Sequence, residues 1–398
     1  DADIGLASYA SYLDNTKDYK LEGRISNKIL LNNLNTTLNL YIFYKKFIKK
    51  KFFDLVYINN GRQNQYRPLA RLLNNKKIRA IFLEFKGPNY TNVYEFINHL
   101  AVDYNYIALR MKQNYRKLRL SKNKKQLIVD KFFRSIKNGE KIQRNISFNK
   151  NQIKNKLPVN FNKKDENIVF FISSEFEYAG LGGVYDEKIY ESQVHAIEEI
   201  CKDLSKSKRK INIWLRMHPN LSDVRWTYMK KFYDLEKIYN FLKVINASSK
   251  ISSYSLLSCS SKVITYGSRM GIEAIYEKKP SIILSRNSYE KLNGNYIPKS
   301  HREVMKLIYS KLKPKPTLAS EKFALWATNG GSELLGFKGS YDNGFEFHNN
   351  KITLNTFYKV LYVLGRATDK IYFHYFRNLG IKLLIKTEFF KLKNIMKF

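Results

Sequence analysis

The amino-acid sequence predicts an α/β fold with two doubly wound domains, each built on a parallel sheet. The chain of 398 residues is 44% hydrophobic and 15% aromatic, which is enough apolar material for more than one core. Short apolar runs alternate with segments of helical periodicity over residues 53–85 and again over 167–284. Such alternation is typical of parallel strands joined by crossover helices. Two stretches of it predict two domains.

The first stretch predicts a strand, a helix and a second strand. FDLVYI (53–58) reads as a buried strand that ends at the polar segment NNGR (59–62), and IRAIFLEF (78–85) as the next strand. Residues 94–135 carry Tyr, Leu and Phe among many Lys and Arg, and we predict that they are helical. The sequence opens at Asp1 with DADIGLASYASYL, which resembles the middle of a fold. We therefore expect an N-terminal piece to be missing.

An Asn- and Lys-rich segment with little apolar periodicity follows, and it predicts an interdomain linker at 151–166. The domains are accordingly placed at 1–150 and 167–345. The second contains the repeated strand–helix unit. Its predicted strands are 167–172, 211–217, 241–246, 261–266 and 280–284, and its longer helices are 189–205 and 226–242.

Residues 346–398 are predicted to form a basic, amphipathic helical tail. One helical face is shared by apolar residues, namely Ile381, Leu384, Ile385, Phe389 and Leu392, with lysines around it. Such a helix suits the surface of an anionic membrane. Packing of the apolar face onto the body of the protein is the alternative.

The net charge of +37 predicts an anionic partner, such as a nucleotide-linked substrate or an acidic lipid surface. We expect no specific nucleic-acid binding, because no recognition motif accompanies the charge, and a bias towards A/T-rich codons also favours Lys. Cys201 and Cys259 are too few for a disulfide framework, which fits a reducing cytoplasm. No apolar run approaches the ~18 residues that cross a bilayer.

Two segments of the second domain suit a phosphate. INIWLRMHPN (211–220) ends a strand in Arg216, His218 and Pro219, and the proline forces a turn that fixes the direction of the imidazole. The strand at 261–266 ends in Gly267 and Ser268, where a helix opens. Carboxyl ends of parallel strands meet at one sheet edge, so these segments are predicted to lie together. An ordinary βα turn and a surface histidine are the alternatives.

Further residues extend this predicted edge. Gly271 and Glu273 lie in the first turn of the helix after Ser268, where a carboxylate can accept hydrogen bonds from a sugar diol. Ser173 and Ser174 end the strand at 167–172, and glycines follow that allow a ligand to approach the backbone. The loop is neither a Walker loop nor a dinucleotide fingerprint. A flexible loop without ligand is the alternative.

The first domain offers candidates for the other side of a cleft. Asn60, Arg62 and Arg67 follow the strand at 53–58, and Glu84 ends the next strand. A carboxylate there suits a general base for an acceptor hydroxyl, while a solvated strand-end glutamate is the alternative. The scattered histidines, with no HExxH, Cys pair or GxSxG, predict neither a metal site nor a serine hydrolase.

These motifs resemble a known family. WLRMHPN followed by VITYGSRMGIEAIYEKKPSIIL is similar to the HP motif and the S-x-x-x-x-E motif of bacterial surface-polysaccharide glycosyltransferases. The capsular polysaccharide biosynthesis family is the nearest group. It is related to Kdo transferases, bacterial sialyltransferases and teichoic acid glycerophosphotransferases. The resemblance covers residues 50–345.

The resemblance implies a GT-B architecture, in which two Rossmann-like domains face a cleft. It implies that His218 contacts the donor phosphate, that Gly267 and Ser268 bind the phosphate or its neighbours, and that Glu273 holds the ribose. The catalytic base is expected from the first domain, where Glu84 is the candidate. The aspartate motif of a sialyltransferase base is not clearly present.

We therefore predict a cytoplasmic glycosyltransferase, peripheral at the inner face of the membrane, that needs neither metal nor cofactor. It would transfer a sugar from a nucleotide-sugar donor, with a CMP-linked sugar as one candidate, to a lipid-linked or glycan acceptor of a surface polysaccharide. One alternative is a phosphotransferase that uses a CDP-linked alcohol. A non-catalytic nucleic-acid-binding protein is the other.

Overall fold

A computed structural model describes residues 3–86, 92–140, 149, 151–182, 189–334, 336–340, 344–348 and 350–352. The strands are β1 (Leu55–Asn59), β2 (Arg79–Lys86), β3 (Asn92–Ile97), β4 (Glu166–Phe171), β5 (Ile211–Arg216), β6 (Leu242–Ile245), β7 (Lys262–Thr265), β8 (Ser281–Ile283), β9 (Ser332–Glu333), β10 (Phe337–Ser340), β11 (Gly344–Phe347) and β12 (Asn350–Ile352). The helices are α1 (Ile4–Thr16), α2 (Ser26–Lys50), α3 (Arg67–Asn75), α4 (Tyr104–Lys117), α5 (Lys122–Lys137), α6 (Phe176–Ala179), α7 (Gln193–Ser205), α8 (Tyr228–Ile238), α9 (Ser253–Cys259), α10 (Met270–Tyr276), α11 (His301–Tyr309) and α12 (Leu318–Asn329).

A five-stranded sheet has the order β6-β5-β4-β7-β8, and all of its neighbouring pairs are parallel. From β4 the chain builds outward through β5 and β6, then returns to the other side for β7 and β8. The connections therefore diverge between β4 and β7, and the crevice at such a switch point is where open α/β sheets bind ligands. The predicted α/β fold is confirmed, and in this half the predicted Rossmann-like parallel sheet is confirmed with it.

The strands of this sheet are apolar on both faces because helices cover both faces. In β4, Ile168 and Phe170 pack into the core shared with α7, α8 and α11. Val169 and Phe171 point the other way, into a smaller core with α9 and α10. A continuous apolar run such as NIVFFI is the sequence signature of this arrangement, and it placed the strand within a residue of its observed bounds.

The other sheet has the order β1-β2-β3-β9, and only β1 and β2 are parallel. β3 runs antiparallel to β2, and β9 antiparallel to β3. β2 ends at Lys86 and β3 begins at Asn92, whereas a parallel connection needs a dozen or so residues. The helical prediction for 94–135 is correct for α4 and α5 and wrong for residues 94–97, which belong to β3.

The N-terminal residues pack on the core of the five-stranded sheet. Tyr12 and Leu13 of α1 are buried in the cluster that contains Phe170 and Leu215. Asp18 is fully buried between α1 and α2, where it accepts hydrogen bonds from the Tyr12 hydroxyl (2.7 Å) and from backbone and side-chain groups of residues 22–26. Burial acts to raise the pKa of Asp18, but these hydrogen bonds outweigh it and lower the pKa.

After the five-stranded sheet the chain returns to the first sheet through α12. Phe323 of α12 packs edge-on against Phe132, and Trp326 stacks on Tyr94 with ring centroids 4.0 Å apart. The Lys86 ammonium donates to two carbonyls at the C-terminal end of α12, those of Thr328 and Gly330, at 2.6 Å each. The predicted bounds at 1–150 and 167–345 stay a prediction.

By compactness the chain divides into two units, and the first comprises Asp1–Pro88 and Asn92–Glu333. In the second unit, β10, β11 and β12 form an antiparallel sheet. The helical face predicted at 381–392 lies outside the described residues.

Candidate active site

Three neighbouring strands of the five-stranded sheet carry their polar residues to one edge. Ser174 follows β4, His218 follows β5, and Gly267 to Arg269 follow β7. The Ser174 hydroxyl lies 3.4 Å from His218 Nδ1, and the Tyr178 hydroxyl donates to the Gly267 carbonyl at 2.9 Å. We call Ser174, His218, Gly267, Ser268 and Arg269 the His218 cluster. It lies at the switch point between β4 and β7, as the strand order requires.

The ring of His218 is oriented by the turn that Pro219 begins. His218 is the last extended residue before a 3-10 turn at Pro219–Leu221, and its Nδ1 accepts a hydrogen bond from the Asn220 N–H at 3.2 Å. An accepting Nδ1 carries no hydrogen, so the neutral ring has its hydrogen on Nε2. Burial, together with the positive charges of Arg269 and Arg216, lowers the pKa of His218 to about 4. At neutral pH His218 is therefore an uncharged hydrogen-bond donor through Nε2.

Ser173, the neighbour of Ser174, is buried and serves the fold. Its N–H donates to the Gln193 side chain at 2.8 Å, and the Gln193 amide donates back to the Ser173 carbonyl at 3.1 Å. This reciprocal pair joins the end of β4 to the start of α7. It fixes the backbone that presents Ser174.

Arg269 is a member of the cluster that our sequence reasoning did not single out. Its guanidinium donates to Glu273 Oε1 at 3.2 Å, and the Tyr254 hydroxyl donates to Glu273 Oε2. Glu273 is 3% exposed while the Arg269 side chain is 36% exposed. Glu273 therefore holds Arg269 at the edge of the cluster. The i,i+4 spacing of Arg269 and Glu273 is a signal in the sequence, whereas Tyr254 comes from another helix.

The glycines of this loop have separate structural reasons. Gly267 has φ +68°, a conformation that favours glycine. A Cβ on Gly271 would clash with the Tyr289 hydroxyl and lie 2.9 Å from Thr265 Oγ1. The Tyr289 hydroxyl in turn donates to the Ser268 carbonyl. Gly271 thus makes room for a tyrosine that fixes the loop.

Arg216 lies at the same edge, but its terminal nitrogens bind main-chain carbonyls of the protein. Its side chain is buried, and its terminal nitrogens donate to the carbonyls of Asn246 and Ser249, which follow β6. Burial lowers the pKa of Arg216 to about 10. The residue holds the loop after β6 and acts on His218 through its charge.

In the first half, the two arginines predicted to face a cleft contact the main chain of the second half. Arg67 is 2% exposed, and it donates to the carbonyls of Gly180 (3.1 Å) and Leu181 (3.2 Å) and to the Asp3 carboxylate (2.8 Å). Arg62 donates to the Glu177 carbonyl at 3.2 Å. These hydrogen bonds tie the first half to the segment that follows β4.

Asn60 and Glu84 lie together at the carboxyl end of the parallel pair β1 and β2. The Asn60 amide donates to Glu84 Oε2 at 2.5 Å, and Asn60 adopts φ +54°. A left-handed asparagine followed by Gly61, with φ +93°, turns the chain sharply. The amide of Asn60 therefore holds the Glu84 carboxylate at this edge.

Besides Glu84, the site contains the carboxylate of Glu177, which our sequence reasoning did not single out. Its Oε1 accepts from the Asn220 amide at 3.1 Å, and Asn220 also donates its N–H to His218. Burial raises the pKa of Glu177, although the Asn220 hydrogen bond and the charge of Arg62 act in the other direction. Glu177 thus connects Arg62 of the first half to the His218 cluster. A glutamate soon after a strand end was visible in SSEFEYAG.

Within the described ranges, no group of three or more His, Cys, Asp or Glu side chains is placed to hold a metal ion. Among those same residues, no helix combines the length and the apolar character needed to span a bilayer.

The fold and this edge define an α/β protein with a Rossmann-type half whose switch point presents a histidine, a serine and an arginine. Residues 60–294 match the family model described as "Capsule polysaccharide biosynthesis protein". The match covers more than half of the chain, so the chain belongs to this family. The family predicted from the HP and Ser/Glu motifs, and with it a role in capsular polysaccharide synthesis, is confirmed.

Solved structures with a similar chain path include two of KpsC from Thermosulfurimonas dismutans. The β-Kdo 2,4 transferase is 13% identical, with 68% of this chain and 79% of that chain covered and a TM-score of 0.44. The β-Kdo 2,7 transferase is also 13% identical, with 72% of this chain and 78% of that chain covered and a TM-score of 0.39. A UDP-GlcNAc 2-epimerase from Methanocaldococcus jannaschii is 13% identical, with 81% of this chain and 95% of that chain covered and a TM-score of 0.27. No curated protein sequence matches the chain. The family assignment rests on the family-model match.

Proposed function

We propose that the chain is a glycosyltransferase that moves a sugar from a nucleotide-sugar donor to a growing capsular or other surface polysaccharide. Family membership supports a role in capsule synthesis. The observation that carries the proposal is the convergence of Ser174, His218 and Arg269 at the switch point, where Rossmann-type sheets bind nucleotides. The donor phosphates would lie against this cluster.

The chemistry follows from the groups present. An acceptor hydroxyl attacks the anomeric carbon, the bond from that carbon to the phosphate oxygen breaks, and negative charge develops on the leaving phosphate. The Nε2–H of His218 and the guanidinium of Arg269 would stabilise that charge as preorganised donors. Because His218 is neutral, the positive charge comes from Arg269 and, at longer range, from Arg216.

The base that takes the acceptor proton is proposed to be a carboxylate of the cleft. Glu84 is the candidate from the first half, where Asn60 orients it. Glu177 is the second candidate, because burial raises its pKa and so brings it closer to that of an effective general base at neutral pH. The acceptor would lie near Asn60 and Arg62.

For the donor we propose contacts with Ser268 and the backbone of Gly267, and a ribose near Glu273. A CMP-linked donor fits the resemblance to Kdo and sialic acid transferases. We further propose that the enzyme needs no metal, because protein cations supply the positive charge beside the phosphate, and that it works in the cytoplasm at the inner membrane surface. Activity that persists in EDTA supports the first of these, and activity that EDTA abolishes contradicts it.

Nucleotide binding is the direct test. Thermal shifts of the full chain with CMP, CDP, UDP and GDP are expected to show one clear stabiliser, since a ligand of the native state raises apparent stability by mass action. In His218→Asn, Oδ1 replaces Nδ1 as acceptor for Asn220 but the Nε2–H is lost, so this shift should shrink. Tight binding of nucleic acid at physiological salt with no nucleotide-dependent shift would overturn the proposal.

Product mass separates two kinds of transfer. A sugar increment on the acceptor supports the glycosyltransferase. An increment that contains phosphate shows instead a phosphotransferase that uses a CDP-linked alcohol, which the same cluster would serve.

A further inference from the structure

The C-terminal end of α2 exposes aromatic side chains among lysines. Phe43 is 56% exposed, Phe47 42% and Phe52 88%, and the rings of Phe43 and Phe47 stack with centroids 5.6 Å apart. Five exposed lysines lie between and beside them, namely Lys45, Lys46, Lys49, Lys50 and Lys51. We call these eight residues the α2 surface.

The opposite side of this helix end is anchored. Ile48 is 8% exposed and belongs to the core of the first sheet, and the Tyr44 hydroxyl donates to the Gln65 carbonyl at 2.9 Å. The helix therefore has a defined inner face, and the exposed rings are on the outside. Exposed clusters of large apolar side chains on a protein surface generally mark a binding surface.

Positive charge continues from the α2 surface along the sheet edge. Leu55 of β1 pairs in parallel with Arg79 of β2, so the residues that precede both strands lie at the same amino edge. Lys76, Lys77 and Arg79 are exposed there. The sequence from 26 to 53 contains no acidic residue, and the edge has Asp54 beside its many cations.

The α2 surface lies away from the candidate active site. It leads into the amino end of β1, whereas Asn60 and Arg62 follow the carboxyl end. A five-residue strand spans about 16 Å. A partner bound at the α2 surface would therefore leave the carboxyl edge accessible.

We propose that the α2 surface docks the protein on an anionic lipid bilayer. Lysines near such a membrane are attracted to its anionic head groups, and phenylalanines insert at the boundary between head groups and acyl chains. A nucleic acid would satisfy the lysines but gives no apolar layer for Phe52. The α2 surface is distinct from the predicted tail helix. The docking proposal does not depend on the proposed transferase activity.

The test is co-sedimentation of the full chain with vesicles of phosphatidylcholine alone or mixed with phosphatidylglycerol. Binding is expected only to the anionic vesicles and is expected to weaken with salt. Replacing the five lysines of the α2 surface by Gln should reduce binding by at least about tenfold. A matched control changes five exposed lysines of the other half to Gln, namely Lys163, Lys164, Lys208, Lys210 and Lys230, and should bind like wild type.

The rings are tested separately. Phe43→Ser, Phe47→Ser and Phe52→Ser combined should weaken binding and remove the part that resists salt, and Phe52→Trp should show a blue-shifted emission on anionic vesicles. Equal vesicle binding by wild type and both α2 variants would overturn the proposal. So would a wild type that self-associates through these rings, with the Ser variant monomeric by size exclusion and vesicle binding unchanged. Nucleotide-dependent thermal shifts of the same variants should stay as in wild type, so the two proposals fail independently.

Discussion

The two sheets use the polar residues at their carboxyl edges differently. At the edge of the five-stranded sheet, Ser174, His218 and Arg269 converge around one point. At the edge of the first sheet, the Arg67 guanidinium donates its hydrogen bonds to the Asp3 carboxylate and to main-chain carbonyls after β4. Both sets follow strands, and the sequence made Ser174, His218 and Arg67 all candidates for ligand binding, whereas Arg269 was not singled out. Arginine donors that bind the protein's own main chain, as those of Arg67 do, are not offered to a ligand.

The largest expected effect is on catalysis at His218. Replacing His218 by Ala should lower transfer by about 1000-fold, the upper range for the loss of one preorganised donor. The Asn variant should lose almost as much while keeping the hydrogen bond from Asn220, so its circular dichroism and Tm should stay close to wild type.

A matched control is His301→Ala. His301 contacts Tyr190 and Asp203, outside the His218 cluster, and its loss should leave transfer unchanged. Near-normal transfer by both His218 variants would remove His218 from the mechanism. The carboxyl edges of the two sheets would then not differ in catalytic role at this residue.

The second prediction concerns stability at the other edge. Arg67→Met keeps the apolar volume but removes the donors to Gly180 and Leu181, and it should lower the free energy of unfolding by about 3 kcal/mol. Arg71→Met is the control, because Arg71 binds the same Asp3 carboxylate at 2.7 Å but is 45% exposed. It should cost less than about 1 kcal/mol. Equal small losses in chemical denaturation would mean that Arg67 is not the tie between the halves.

The strands of the five-stranded sheet were predictable because each is a short apolar run bounded by polar or turn residues. NIVFFI, INIWLRM and SKVITY all form strands within a residue or two of their predicted bounds. A run buried on both faces depends little on its distant neighbours, so local composition suffices.

The contacts that were missed join distant parts of the chain. Tyr254 reaches Glu273 from another helix, and α1 packs on the sheet formed after residue 166. Neither of these two contacts is indicated by a local periodicity in the sequence. The antiparallel β3 was missed because NVYEFI precedes a long helical segment of similar composition. Its direction follows from the short β2–β3 connection, which required the strand to be recognised first.

The third prediction separates the two arginines beside His218. The double variant Arg269→Gln with Glu273→Gln removes the exposed cation without leaving a buried charge, and it should lower transfer by at least about tenfold. Arg216→Gln should lower stability by about 2 kcal/mol, because the Asn246 and Ser249 carbonyls lose their donors. Transfer per folded molecule should then change less than in the Arg269 variant.

Glu273→Gln alone sharpens this prediction. It keeps the charge of Arg269 and an acceptor for Tyr254, so a small loss of transfer fits a residue that positions Arg269. A loss as large as that of the double variant, with a raised KM for the donor, would favour the ribose contact that the sequence predicted. Steady-state kinetics on the three variants decides between these roles.

The smallest expected effect is at Gly271, where packing controls the loop of the cluster. Gly271→Ala should lower the free energy of unfolding by about 1–2 kcal/mol, because the new methyl group displaces the Tyr289 hydroxyl. Tyr289→Phe removes that hydroxyl and its hydrogen bond to Ser268. In the double variant the closest clash of the methyl group is removed while the contact with Thr265 Oγ1 remains, so the two losses should add only in part. A strictly additive cycle would show that Gly271 and Tyr289 are not coupled, and glycine at 271 would then need a reason from the ligand side of the loop.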